Sequence, residues 1–180
     1  MIETERLVMR SWRDEDILPF QRISSDPEVM ATLGPLLDLV ATEALIERGR
    51  AHEAEHGHCF WALERRSDAR LIGWCGVIRG TAGPVADKAE IGWRLARDSW
   101  GAGYATEAAR GAIDWAFAHL PDPDIWAITW RDNIRSRAVM ERLGMQYCAG
   151  LDFDHPKLAE DDPLRPHVTY SLSRLAWETA

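Results

Sequence analysis

Between Ala89 and Leu120 the hydrophobic period of the chain switches from that of a strand to that of a helix, with two glycines at the change. Ala89, Ile91, Trp93 and Leu95 alternate with Glu90, Gly92 and Arg94, the two-residue period of a strand. After the turn, apolar residues fall at Ala105, Ala108, Ala109, Ala112, Ile113, Ala116, Phe117 and Leu120, the stripe of a helix that packs one face on a sheet. The turn runs Trp100-Gly101-Ala102-Gly103-Tyr104-Ala105-Thr106-Glu107-Ala108. Its glycines let backbone approach a ligand closely, and the positive end of the following helix favours negative charge there, so a pyrophosphate is its natural guest. A Walker loop needs Gly-Lys-Ser/Thr after its spacer and a dinucleotide fingerprint needs a third glycine; Tyr104 to Glu107 supply neither. A glycine turn can also merely join two elements, so the reading depends on its context.

That context lies downstream. Ile125 to Trp130 reads as a second buried strand, followed by Arg131-Asp132-Asn133-Ile134-Arg135-Ser136 and a short helix ending at Leu143-Gly144. Asn133 can cap this helix and Gly144 can end it in the left-handed conformation. Through Glu90-Ile91-Gly92-Trp93, the Trp100 to Ala108 turn, and Asn133-Ile134-Arg135-Ser136 with Leu143-Gly144-Met145, the chain resembles the GNAT superfamily of acetyl-CoA-dependent N-acetyltransferases. Within it the chain is most similar to the branch that acetylates ribosomal-protein N-termini at alanine or serine. Thr4 to Arg10 resembles that branch's first strand and His167-Val168-Thr169-Tyr170 its last.

The resemblance implies an α/β GNAT fold in a single domain over residues 1–180. Its central sheet would be mixed and mostly antiparallel, with six to seven strands and about four flanking helices. A splayed parallel strand pair would form the cleft for acetyl-CoA, the acyl-donor cosubstrate.

Composition agrees with a small enzyme. A chain of 180 residues, 46% of them hydrophobic, can bury one core. No apolar run is long enough to span a bilayer, and Met1-Ile2-Glu3-Thr4-Glu5-Arg6 does not open a signal peptide, so a cytoplasmic protein is expected. The formal charge of −8, without a basic stripe, argues against nucleic acid and suits a cationic substrate, although surface acid also simply aids solubility. The expected partners are acetyl-CoA and an amine acceptor, with no nucleic acid or membrane, and the chain is a monomer or homodimer. Cys59, Cys75 and Cys148 are odd in number and widely spaced, which suggests neither disulfides nor a cysteine zinc site, and each reads as a small buried apolar residue. Arg97, Arg135, Arg137 and Arg142 are the cations placed to offset the charge of CoA.

The remaining pattern predicts a strand near Arg6 to Trp12, a helix from Glu15 to Ser24, a helical turn at Asp26-Pro27 and a helix from Ala41 to about His56. Strands follow at His58 to Glu64 and Leu71 to Ile78, then a loop from Thr81 to Asp87. Met145 to Phe153 should be one strand and Asp154 to Pro166 a loop before a last strand at His167 to Ser173.

One rival motif competes. His52-Glu53-Ala54-Glu55-His56 matches the His-Glu-x-x-His pattern of zinc hydrolases, with two histidines at i and i+4 on a helix. A catalytic zinc needs a third protein ligand, for which only His58, beyond Gly57, or Glu64 is near. A solvated helix end accounts for the motif without metal, and no metal is expected.

Thioester aminolysis requires a neutral amine, a nearby acetyl thioester, stabilisation of oxyanion charge and a proton for the departing thiol. At pH 7 an α-amine is neutral in about one molecule in ten and a lysine in roughly one in 2,500, so an α-amine asks less of a base. Glu90 is the candidate base or amine-orienting residue. The resemblance places the backbone of Trp93, Arg94 and Leu95 along the pantetheine arm. It places Trp100, Gly101, Ala102, Gly103, Tyr104, Ala105 and Thr106 at the pyrophosphate, with Trp100 where the superfamily often has glutamine or arginine. Many members carry a tyrosine acid on the second core helix; here that position is Met140, so Ser136 is the candidate to hydrogen-bond the thiol, with Asn133 as cap, pantetheine contact or both. His155, His167 and Tyr170 would stand beside the acceptor cleft. A second reading keeps the fold as a silent acyl-CoA-binding or sensing module, which the presence of Glu90 and Ser136 opposes.

Overall fold

The computed structural model describes residues 1–179. Nine strands among them form one sheet: β1 (Ile2–Glu3), β2 (Leu7–Arg10), β3 (Phe60–Arg65), β4 (Arg70–Arg79), β5 (Ala89–Leu95), β6 (Asp124–Trp130), β7 (Gln146–Tyr147), β8 (Phe153–Asp154) and β9 (Pro166–Ser173). Their order is β1-β2-β3-β4-β5-β6-β9-β7, with β8 also on β9. The count exceeds the expected six to seven because β1, β7 and β8 are two-residue pieces at sheet edges. Six helices accompany the sheet: α1 (Ile17–Ser24), α2 (Pro27–Met30), α3 (Leu39–His56), α4 (Tyr104–His119), α5 (Ile134–Arg142) and α6 (Arg174–Glu178). The four expected helical stretches other than the Asp26-Pro27 turn are α1, α3, α4 and α5; α6 had no counterpart. No helix among the described residues is long and apolar enough to cross a membrane.

Every neighbouring pair is antiparallel except β5 and β6, whose parallel pairing consists of one register match, Glu90 with Trp126. On its other side β5 pairs with β4 along its whole length, from Gly73↔Leu95 to Arg79↔Ala89. Beyond Glu90, therefore, the β6-facing edge of β5 has no strand partner, and the sheet opens there.

The expected strand from Met145 to Phe153 is broken into β7 and β8. The Cys148 amide donates to Thr169 O at 2.9 Å, the chain then turns through Ala149–Leu151, and Leu151 O accepts from Thr169 Oγ1 at 2.8 Å. This satisfies β9 through a bulged turn instead of a continuous ladder. Cys59 and Cys75 are buried as expected, whereas Cys148 is only half-buried, with its Sγ 3.3 Å from Ser171 Oγ.

One core lies between the sheet and α4, where Ala108, Ala109, Ala112 and Ala116 let the helix approach Met9, Cys75, Val77 and Ile91 closely. Ile113 and Phe117 complete its buried stripe, each worth about 1.5–3 kcal/mol of transfer free energy. On the opposite face Phe20 and Ile23 of α1 and Ile46 of α3 pack on Trp12, Ala62 and Leu71. The sheet is thus covered on both faces, and the opening between β5 and β6 is where a ligand can enter between the layers. Caps fix the helices: Asp38 accepts from the Ala41 amide at 2.8 Å, and Gly57, at φ 75°, ends α3.

Candidate active site

The turn before α4 presents bare backbone. Gly101 and Gly103 have φ of 74° and 82°, the left-handed region that favours glycine. A Cβ at Gly101 would meet nothing within 4 Å, so the turn faces open space. The first amide of this region with a helical acceptor is Glu107, which donates to Gly103 O at 3.0 Å. Among the described residues the amides of 101 to 106 donate to no backbone carbonyl, which leaves an anion-binding set at the positive end of a long helix.

A network not foreseen from the sequence holds this turn in place. Arg6 donates through Nη1 to Ala102 O at 3.0 Å and through Nε to Glu107 at 2.6 Å. It also lies 4.7 Å from the centre of the Tyr104 ring. The same carboxylate accepts from Thr4 Oγ1 at 2.6 Å and from the Arg6 amide at 2.8 Å. Burial alone would push the Glu107 carboxyl up, but these hydrogen bonds outweigh it and leave the pKa lowered. Nothing local in the sequence could have signalled it, because Arg6 and Glu107 are 101 positions apart.

The turn forms one end of a cleft of about 1280 Å³, which β5, α2 and the start of α5 also line. Trp93, Arg94 and Leu95 face it from β5, and Asn133 and Ser136 from α5. Asn133 is buried and caps α5, accepting from the Ser136 amide at 3.2 Å. Its Nδ2 donates to Thr129 Oγ1 at 3.0 Å and to Ser136 Oγ at 3.1 Å. Ser136 therefore accepts on its oxygen and keeps its own O–H for a partner in the cleft. Met140 is buried in the core.

Trp100 lines the same cleft and also braces the turn. Its Nε1 donates to Leu95 O at 3.0 Å, bracing the turn to β5, and its ring carries the Arg135 guanidinium at 4.2 Å. Of the four cations expected to serve CoA, Arg135 and Arg142 line the cleft. Arg142 also donates to Thr106 Oγ1 at 3.3 Å. The other two are engaged elsewhere: Arg97 pairs with Glu28, and Arg137 donates to Tyr170 Oη at 3.1 Å. Arg110, which the sequence reading had not selected, lines the cleft as well.

Glu90 stands where β5 and β6 part, opposite Trp126, and is not among the residues lining the large cleft. Burial pushes its carboxyl up to about 7, against the smaller opposing effect of Lys157. No hydrogen bond to this carboxylate occurs among the described residues. On the β9 side, the rings of His155 and His167 lie 4.9 Å apart, and burial lowers the pKa of both. His167 Nδ1 is 3.0 Å from Arg165 O. Tyr170 does not reach an acceptor site: it is buried in the main core, and its hydroxyl lies between Arg137 and Glu141.

The His-Glu-x-x-His motif is engaged in packing. His52 Nε2 accepts from the Arg79 amide at 3.1 Å, so Nδ1 carries the proton it gives to His58 O at 2.8 Å. Neither ring nitrogen is free for a metal. Glu53 accepts from Ser11 Oγ at 2.8 Å and from Trp61 Nε1 at 2.9 Å. Among the described residues no group of three His, Cys, Asp or Glu is arranged to hold a metal ion.

A family model described as an acetyltransferase (GNAT) domain matches residues 6–146. YkkB of Bacillus subtilis (strain 168) is 30% identical over 80% of this chain and 84% of its own. The acetyltransferase of Agrobacterium tumefaciens str. C58 shares 27% identity with a TM-score of 0.78, covering 96% of this chain and 94% of that one. RimJ of Mycobacterium smegmatis, solved in complex with CoA-disulfide, has the same fold at 23% identity, with a TM-score of 0.75 over 94% of this chain and 82% of its own. The chain belongs to the GNAT acetyltransferase family, and its cosubstrate is acetyl-CoA. The observed residues fit that ligand: free amides and Arg135 and Arg142 for the anionic end, and an unpaired strand edge for the amide-bearing arm.

Proposed function

We propose that this N-acetyltransferase acts on a primary amine, an α-amine of a peptide, protein or small molecule, by direct transfer within a ternary complex. The observation that carries the reading is one continuous cleft that begins at the donor-rich turn of Gly101 to Thr106 and follows β5 along its unpaired edge. Bound acetyl-CoA supplies an acetyl thioester activated toward an amine.

The protein's own groups do the rest. The amides of Gly101 to Thr106, with Ala102 and Gly103 at the centre, hold the pyrophosphate. The backbone of Trp93, Arg94 and Leu95 extends hydrogen bonds to the pantetheine amides in the way a strand would. Alternate residues of β5 turn toward β4, with Arg94 O lying against Gly73, and the Leu95 carbonyl is engaged by Trp100, so the N–H and carbonyl of Trp93 and the N–H of Leu95 remain for this role. Glu90 takes the proton of the acceptor ammonium, directly or through water. A carboxyl near 7 is half ionised at neutral pH and matched to that task. Ser136, oriented by Asn133, hydrogen-bonds the departing thiol. The family resemblance to ribosomal-protein acetyltransferases and the lower pKa of α-amines support an α-amine acceptor.

The test is thiol release: purified protein with acetyl-CoA is offered a panel of peptide α-amines, lysine side-chain analogues and small amines. Free CoA should accumulate only when an accepted amine is present, with the acetylated amine as co-product. Binding of acetyl-CoA without amine-dependent release across the panel would instead describe a sensing module.

A further inference from the structure

Two arginines on the same face of the sheet have opposite surroundings. Arg10, on β2, is saturated: Nη1 and Nη2 reach Asp16 at 2.7 and 2.9 Å, and Nε reaches Glu64 at 2.8 Å. Arg94, on β5, has no carboxylate within ion-pair distance among the described residues. Its Nη1 donates to Ser24 Oγ at 3.2 Å, and its buried Nε has no partner. The guanidinium lies 5.8 Å from the centre of the Phe20 ring and 5.7 Å from that of Trp74. Arg165 is the other buried side-chain nitrogen without a hydrogen bond, but Asp154 stands 3.8 Å from it.

A half-buried arginine whose Nε is buried without a partner and that has no counter-ion is costly to maintain, and burial lowers the Arg94 pKa to about 10. A second observation says what is missing. Arg94 lines the large cleft together with Val29, Ala31 and Thr32 on and after α2, so the cleft continues past the sheet edge to the face away from α4. The nearby carboxylate on α2, Glu28, is taken by Arg97. The phosphates of CoA are provided for at the α4 turn, and its pantetheine arm is uncharged, so the cosubstrate does not bring an anion to this place. Glu90 occupies the same face of β5, about 13 Å along the strand.

We propose that Arg94 is a receptor for a carboxylate on the acceptor, so that the preferred substrates are amines bearing an acid group, such as aminocarboxylates or peptides with a carboxylate near the amine. The proposal rests on the acetyl-transfer reading above and adds its substrate class. Such an acceptor is a zwitterion without net charge, which the −8 field of the protein does not repel. A planar guanidinium fork suits a carboxylate, and charge-assisted hydrogen bonds of this kind discriminate strongly against a neutral analogue.

The experiment compares kcat/KM for aminocarboxylates of increasing length and for simple dipeptides, each against its own uncharged amide, in the wild type, Arg94→Lys and Arg94→Met. The best carboxylate should exceed its amide by about tenfold or more in the wild type. Arg94→Lys should keep part of that ratio, and Arg94→Met should bring it near one. The Arg94→Met melting temperature should stay level or rise, because an unpaired, half-buried charge has been removed. Wild-type ratios near one for every pair would overturn the proposal. So would loss of carboxylate and amide turnover together in Arg94→Met with a lowered melting temperature, the mark of a structural ion. Succinyl-CoA tested with the amide acceptors locates the carboxylate: its preference over acetyl-CoA, lost in Arg94→Met, would place the acid on the acyl group and overturn the acceptor assignment. Acetyl-CoA binding with no amine turnover would instead break the parent reading and this one with it, whereas ratios near one break this one alone.

Discussion

At the α4 turn the unpaired groups are backbone amides of consecutive residues, whereas on the Glu90 face of β5 they are side-chain atoms, the Glu90 carboxylate and Arg94 Nε, whose surroundings come from distant parts of the chain. The first kind of site is rigid and tolerant of sequence, because any residue has an N–H and only the glycines are constrained by positive φ. The second depends on which side chain stands at each position, and on burial that leaves Glu90 near neutrality and Arg94 unpaired. A shared backbone cradle for one cosubstrate and a variable set of side chains for the acceptor is how one fold serves many amines.

The difference can be broken most severely at Glu90. Glu90→Gln should lower kcat/KM by about a hundredfold while acetyl-CoA affinity holds. The wild-type kcat/KM should rise with pH through about 7 as this carboxyl ionises, and the variant should lose that inflection. The same shift carries a stability signature. The folded protein keeps the proton to about 7, above the ordinary 4.5, so it binds more protons than the unfolded chain in between and stability falls as pH rises across that window. Glu90→Gln should therefore melt higher than the wild type above pH 7 and show no such gain below the window. Parallel pH profiles for the two proteins would remove Glu90 from the proton path.

A smaller effect is expected at the donor end from Glu107→Ala, which frees Thr4 and leaves Arg6 held to the turn only through Ala102 O and the Tyr104 ring. Acetyl-CoA should bind about tenfold more weakly, through the loss of charge-assisted hydrogen bonds that position the amides. Glu107→Gln, which can still accept from Thr4 and Arg6, should recover part of the affinity in calorimetry. Equal affinity in both variants and the wild type would show that the turn holds its shape unaided. The smallest change should come from Ser136→Ala, a fall of several-fold in kcat with acetyl-CoA affinity nearly retained, since a hydroxyl contributes about one hydrogen bond. A full rate would reduce Ser136 to a capping neighbour of Asn133.

The same contrast governs what could be read before the structure. The strand, turn and helix of Ala89 to Leu120, and Asn133 as a cap, were legible because periodicity, glycine and capping chemistry act over a few residues. The clamp of Arg6 on Glu107, the bracing of Trp100 against Leu95 O and the isolation of Arg94 were not, because each depends on which elements the sheet order brings together. Tyr170 shows the opposite failure: it lies on the expected last strand, but the alternation of β9 turns it into the core. His52 and His56 matched a metal motif whose local spacing was right, but the fold had directed both ring nitrogens of His52 elsewhere.

The central claim is that the Gly101 to Thr106 backbone holds the anionic end of acetyl-CoA. Isothermal titration of the chelator-treated wild type and of Gly103→Asp tests it directly, because the substitution sets a carboxylate against the pyrophosphate. Its Cβ has only Arg6 Nη2, at 3.5 Å, as a close neighbour, and the φ of 82° costs an Asp, which visits this region more readily than most residues, only about 1–2 kcal/mol, so the protein should still fold. The account predicts saturable binding at one site per wild-type chain and none measurable in a folded Gly103→Asp. No binding by the wild type, or undiminished affinity in the variant, would contradict it.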